Sequence, residues 1–207
     1  MRETEIEVKR SALLVIDMQN HLIKSQEECY QALIRNVRSG RVIDNIARVV
    51  SAARQVGMRV VFTAGVARED GRVPGIIDGR TDWPVVPNRY AKGTSAADII
   101  EETRPLAGEP VVYKCRSDAF CNTNLEAMLR SYGIDTVIVT GVLSDACVAG
   151  TVIGARQRDL HVIVLSDCCA TNLLSDQEYF MKSYYPIRAR VRTSKEILAA
   201  MAQGRGR

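Results

Sequence analysis

Short, uninterrupted apolar runs recur along the chain, and stretches of helical periodicity separate them. The run at residues 12–16 ends abruptly at Asp17. A continuous run of that kind suits a strand covered on both faces. Runs rich in β-branched residues at 59–63, 110–114, 136–140, 161–165 and 189–192 read as five more strands. Ile43, Ile46, Val49, Val50, Ala53 and Val56 recur at the spacing of one helix face, which predicts a helix over 39–56 stopped by Gly57. A short helix is predicted over 94–102. Thr123-x-x-Glu126, Ser175-x-x-Glu178 and Thr193-x-x-Glu196 read as capping boxes that open three further helices, the first ending near Gly133. One more helix is expected from about Ala146 toward Arg158.

Strands that alternate with helices predict an α/β fold, a three-layer α/β/α sandwich around a parallel sheet. Right-handed crossovers then bring the carboxyl end of every strand to one edge. Ligands bind at that edge in open α/β sheets. Asp17, Lys114 and Cys147 all fall at such ends. Singly, each has a plain reading: a turn former, a solvated strand terminus and a small buried hydrophobe. Together they supply a base, a cation and a nucleophile, the set that acyl transfer needs.

Cys147 follows a sharp turn. Gly141 breaks the 136–140 run, and Ser144 or Asp145 is expected to cap the next helix. A thiol in that first turn feels the positive end of the helix dipole, which predicts a lowered pKa. Backbone N–H groups of Leu143 and Cys147 are expected to face the same space as an oxyanion hole. Residues 64–93 form a long Gly- and Pro-rich connection, a length that is usually functional or mobile.

At 207 residues a single domain over 1–207 is expected. The chain is 46% apolar and 25% charged, the balance of an ordinary globule. Its net charge of +4 comes from scattered arginines, so no nucleic-acid face is expected. No apolar run reaches the roughly 18 residues that span a bilayer, and residues 1–5 carry acids where a signal peptide would not. A cytoplasmic protein without a membrane partner is expected. Six cysteines without a C-x-x-C pair predict reduced thiols rather than disulfides or zinc. Cys29, Cys115, Cys121, Cys168 and Cys169 are expected to pack, with the Cys168-Cys169 pair a candidate oxidation site.

On three ordered motifs the sequence resembles the isochorismatase-like cysteine hydrolase family. The first is residues 14–20, with Asp17. The second is Val112, Tyr113 and Lys114, then Asp118, Ala119 and Phe120, then Thr123 and Leu125. The third is residues 141–148, with Ser144 and Cys147, followed by Thr151. The resemblance covers nearly the whole chain and implies a six-stranded parallel sheet between helices. It also implies an Asp17–Lys114–Cys147 triad and a cis peptide at Val142–Leu143. Three departures stand out: Ser144 where many members have threonine, Asp118 where many have serine, and an unusual Cys115. Nicotinamidases of the family hold a metal with histidines after the second strand. Residues 63–70 contain none, so no metal and no cofactor is expected.

The resulting expectation is a cysteine amidohydrolase acting on a small amide, N-carbamoyl or ureido compound through a thioester, with release of ammonia. The alternatives are a vinyl-ether or ester hydrolase and a catalytically silent scaffold. Phe120 is expected either to wall the pocket or to pack in the core. Arg116, together with Arg68, Arg72, Arg80 and Arg89, offers a fork for a substrate carboxylate, and Trp83 an apolar lid. Family members are commonly dimers or tetramers, which implies a homodimer or homotetramer.

Overall fold

The apolar runs find one another because each can bury both faces only inside a sheet that helices cover. The computed structural model describes residues 6–66 and 91–204. It pairs β1 (Ser11–Ile16), β2 (Arg59–Gly65), β3 (Val111–Lys114), β4 (Thr136–Val142), β5 (His161–Ala170) and β6 (Arg190–Arg192) into one sheet. Every pairing is parallel, in the order β3-β2-β1-β4-β5-β6. The six-stranded parallel sheet expected from the sequence is the one observed.

The pleat of β1 divides the core in two. Leu13 and Val15 pack on one face with Leu33 and Val37 of α2 (Glu28–Ser39). Ile46, Val49 and Val50 of α3 (Val42–Gln55) and Ile197 and Met201 of α7 (Ser194–Gly204) complete that layer. Ala12, Leu14 and Ile16 pack on the other face with Leu125 and Leu129 of α4 (Leu125–Ser131). Val152 and Ala155 of α5 (Ala149–Arg156) and Tyr185 join them. Each of these aliphatic side chains, fully buried, contributes roughly 1.5–3 kcal/mol. The short α1 (Asn20–Ile23) and α6 (Leu174–Tyr179) complete the α-helices among the described residues.

Three expectations are corrected. The 39–56 periodicity belongs to α3 alone, and the separate α2 precedes it, with Arg41 in the left-handed region between them. Residues 94–102 do not form one helix; only a 3-10 turn, Glu101–Thr103, begins at their end. Their backbone is drawn instead to the segment after β1: the Asn20 N–H donates to the Asp98 carbonyl at 3.0 Å and the Ile100 N–H to the Met18 carbonyl at 2.8 Å. Only one capping box closes. The Thr193 N–H donates to Glu196 Oε2 at 2.7 Å, whereas Glu126 reaches Arg158 and Glu178 reaches Lys182.

The chain winds from β1 through β2 to β3 on one side, then returns to β4 and continues outward through β5 to β6. The reversal lies between β1 and β4. At such a switch point the two flanking loops diverge and leave a crevice beyond the strand ends. Asp17 follows β1 and Cys147 follows β4.

Candidate active site

Asp17 is the first residue past β1, with φ 50° and 2% exposure. Aspartate tolerates this left-handed region better than most residues. The bend turns its carboxylate toward β2. There the Thr63 hydroxyl donates to Asp17 Oδ1 at 2.6 Å, and the Asp17 N–H donates back to the Thr63 carbonyl at 3.3 Å. Gln19, fully buried, ties the same corner: its Nε2 donates to the carbonyls of Gly65 and Ala97, and its Oε1 accepts from the Gly65 N–H.

Lys114 ends β3, one strand farther out, and is paired in register with Gly65. Glycine at 65 leaves the path open: a Cβ there would lie 3.9 Å from Asp17 Oδ2. The Lys114 ammonium has three protons to place and three acceptors within reach. Nζ lies 2.7 Å from Asp17 Oδ2, 3.2 Å from Cys147 Sγ and 3.0 Å from the Arg116 carbonyl. The ion pair is almost fully buried, at 2% and 3% side-chain exposure.

Cys147 is carried by the turn after β4. The Val142–Leu143 peptide is cis. One turn of π-helix, Ser144–Val148, then runs directly into α5. The Leu143 carbonyl accepts from the Ala146 and Val148 N–H groups, both at 3.1 Å, and so encloses Cys147 in a wide loop. Neither Ser144 nor Asp145 caps the helix, contrary to expectation. Ser144 is buried and its hydroxyl donates to Gln177 Oε1 at 2.7 Å, while Asp145 accepts from the Thr171 hydroxyl. The Tyr185 hydroxyl donates to the Ser144 carbonyl. These three anchors all come from the chain after β5.

The loop after Lys114 docks on the helix after Cys147. A Cβ on Gly154 would meet Asp118 Oδ1 at 2.3 Å, and one on Gly150 would meet the Asp118 nitrogen at 3.0 Å. Small residues on α5 therefore let the two loops close on each other, and the Ala119 N–H donates to the Thr151 hydroxyl at 3.1 Å. Burial raises the pKa of the Asp118 carboxyl.

The remaining candidates separate. Phe120 is 3% exposed and packs with Val112, Leu125 and Leu129 under the Arg158 guanidinium, so core packing takes it. Arg116 stays beside the site: its carbonyl holds Lys114 and its side chain is half-buried. Trp83, Arg68, Arg72, Arg80 and Arg89 lie outside the described residues. Cys29 is exposed rather than packed, and Cys115 and Cys121 are partly exposed. Cys168 and Cys169 are both buried, one in each core layer, as neighbours on a strand must be. Thr63, Gln177, Thr171 and Tyr185 were not among the residues singled out in the sequence. Only Thr63 carried a signal, as a polar residue closing an apolar run.

The thiol pKa runs opposite to the dipole expectation. Burial pushes Cys147 up to about 12, the Asp17 carboxylate adds to the rise, and Lys114 opposes it. One turn of helix exerts less than the loss of water does. Burial also works against the charge on Lys114, but Asp17 and Cys147 outweigh it and raise its pKa above the ordinary lysine range. The resting site is therefore a neutral thiol beside an ion pair. Burial raises Cys168, Cys169 and Tyr185 as well. A group whose pKa is higher folded than unfolded stabilises the fold fully below its unfolded pKa and loses that contribution as pH climbs toward the folded value. All five groups act in that sense. The thermal midpoint is expected to hold up to about pH 9, the ordinary thiol value, and to fall by about 5–10 °C within the next two pH units. Calorimetry across that range checks it; a flat midpoint contradicts the burial of these groups.

Comparison with known proteins agrees with this geometry. Residues 11–196 match the isochorismatase domain family. The ureidoacrylate amidohydrolase RutB of Serratia proteamaculans is 30% identical over 172 residues, spanning 77% of this chain and 69% of its own length. The crystal structure of an N-carbamoylsarcosine amidase from Thermoplasma acidophilum is similar with a TM-score of 0.70 and 30% identity, over 89% of this chain and 96% of that one. A cysteine hydrolase from Pseudomonas syringae pv. phaseolicola superposes with a TM-score of 0.84 at 24% identity, over 96% of this chain and 95% of the other, a likeness of fold. A parallel sheet with its switch point between Asp17 and Cys147, and a family match across 11–196, lead to one conclusion: the chain belongs to the isochorismatase family.

Proposed function

We propose that the protein is a cysteine-dependent amidohydrolase that cleaves a C–N bond of a small N-carbamoyl or ureido compound and releases ammonia. The observation that carries this reading is the buried contact of Asp17, Lys114 and Cys147 at the crevice edge. The names of the relatives support the substrate class. In the proposed reaction Asp17 takes the thiol proton as Sγ bonds to the carbonyl carbon. Only the arriving carbonyl makes that transfer favourable, since the resting thiol is protonated. The Leu143 and Cys147 N–H groups hold the oxyanion. The C–N bond then breaks, Asp17 returns its proton to the departing nitrogen, and ammonia leaves an acyl thioester. Asp17 next takes a proton from water, the hydroxide attacks the thioester carbon, the C–S bond breaks to release the acid, and Asp17 returns the proton to Sγ. Lys114 neutralises charge throughout.

The test is ammonia release from N-carbamoylsarcosine, ureidoacrylate, biuret and simple amides, with intact mass spectrometry for an adduct on Cys147. Turnover of esters or vinyl ethers without any ammonia sinks the reading.

Two expectations follow from the reading. Residues 63–70 hold no histidine, so full activity should survive exhaustive chelation with EDTA; loss of activity with rescue by zinc or iron contradicts the metal-free mechanism. The Arg116 carbonyl serves Lys114, while its guanidinium donates to the Cys115 carbonyl at 3.0 Å. Replacing Arg116 with alanine therefore keeps its own carbonyl. Arg116→Ala should raise KM about tenfold for a carboxylated substrate and leave kcat, and the neutral amide analogue, nearly unchanged. An equal effect on both analogues removes Arg116 from substrate recognition. The active form proposed is a homo-oligomer. Leu173, Leu174, Tyr179 and Ile187 stand more than half exposed, and light scattering at micromolar concentration decides the point.

A further inference from the structure

The Asp17 carboxylate has two oxygens with different duties. Oδ2 lies 2.7 Å from the Lys114 ammonium, which itself lies 3.2 Å from Cys147 Sγ. Oδ1 accepts the Thr63 hydroxyl at 2.6 Å. Thr63 is completely buried in β2, and its side chain is fixed from both directions, because Oγ1 also accepts the Asp17 N–H at 3.2 Å. A valine would fill the same volume, so packing alone does not call for a hydroxyl here. What the hydroxyl adds is a donor aimed at one oxygen of a carboxylate that sits on a left-handed backbone bend. Among the described residues, the charged and titratable groups against Asp17 are Lys114, from β3, and Cys147, from the turn after β4, and β2 contributes Thr63 and Gly65.

We infer that Thr63 is a positioning residue: it occupies Oδ1 so that the free lone pairs of Oδ2 are the ones presented to the Cys147 thiol. The inference rests on the amidohydrolase reading, in which Asp17 receives the thiol proton. Without the hydroxyl, Oδ1 is buried with no donor. The carboxylate then rotates to share the Lys114 ammonium through both oxygens. That geometry is poorer for the thiol but hardly changes the space a substrate fills. The consequence is a loss in the chemical step and in thiol reactivity, and not in binding.

The experiment compares Thr63→Val, Thr63→Ser and Asp17→Asn. Two readouts are taken: turnover of N-carbamoylsarcosine or ureidoacrylate, and the rate of Cys147 alkylation by iodoacetamide, which needs no substrate. Thr63→Val should lower kcat about 30-fold or more with KM within about threefold, and should slow Cys147 alkylation about tenfold. Thr63→Ser, which keeps the donor and loses a methyl, should return both to within about threefold of the parent. If Thr63→Val does not fold, Thr63→Ala takes its place and must fall well below Thr63→Ser. Valine or alanine variants as reactive as the serine variant overturn the inference while Asp17→Asn is inactive and the parent reading stands. A fully active Asp17→Asn overturns both.

Discussion

Cys147→Ser is expected to lower kcat by about 10⁴-fold or more while the fold survives. The size of the loss follows from the surroundings of Sγ. Burial and Asp17 already push the thiol up to about 12, and only Lys114 at 3.2 Å works for the ionised form. A hydroxyl in the same place starts from a much weaker acid. Its shorter bond to Cβ also draws the oxygen back from Lys114. Neither handicap touches the packing. Cys147 is partly exposed, and the turn that carries it is held by Tyr185, Gln177 and Thr171 through the neighbouring residues 144 and 145. The thermal midpoint should therefore stay within about 2 °C of the parent. Ammonia assays give the first quantity and calorimetry the second. A serine variant with a tenth of the parent activity rules out thiol nucleophilic catalysis.

Gly141→Ala should yield no soluble folded protein. Gly141 lies in β4 directly opposite Ile16, the residue before Asp17, with φ 112°, a conformation L side chains rarely adopt. A Cβ there would stand 2.0 Å from the Ile16 carbonyl oxygen and 2.7 Å from its nitrogen. Both are backbone atoms of β1, which is locked between β2 and β4 and cannot retreat. Separating the strands would break their ladder at the switch point. The combined strain and lost pairing should exceed about 5 kcal/mol, a large share of the whole stability of a domain. Gly65→Ala is the control. It sits at the same edge, but its Cβ would meet nothing closer than 3.6 Å, so it should fold. Soluble yield and circular dichroism of the two variants decide the matter. A folded Gly141→Ala protein contradicts the close approach of β1 and β4.

The sheet and the three side chains gathered at its edge were legible in the sequence because each is a local pattern. Apolar runs that stop at Asp17 and Lys114 say where β1 and β3 end, and parallel connectivity sends those ends to one edge; Gly141 is no such end, since β4 runs through it to Val142. The α3 face was legible for the same reason, as a period carried within 14 residues. Local patterns failed where a competing partner lay far away in the chain. Thr123 and Thr193 head the same capping pattern, yet only the second closes, because Arg158 draws Glu126 away. Residues 94–102 have helical composition, but the segment after β1 claims their backbone groups.

What the sequence determined by itself is the order of the six strands along the chain and which three side chains arrive at their ends, since apolar runs and strand polarity are properties of neighbours. The tertiary structure alone decided how those side chains behave. The Thr63 hydroxyl on Asp17 spans 46 residues, and the Lys114 contact to Cys147 spans 33. The thiol is neutral at rest although a helix begins beneath it. Hydrogen bonding between distant strands and loss of solvent depend on what is packed around a group, and no stretch of chain encodes them locally.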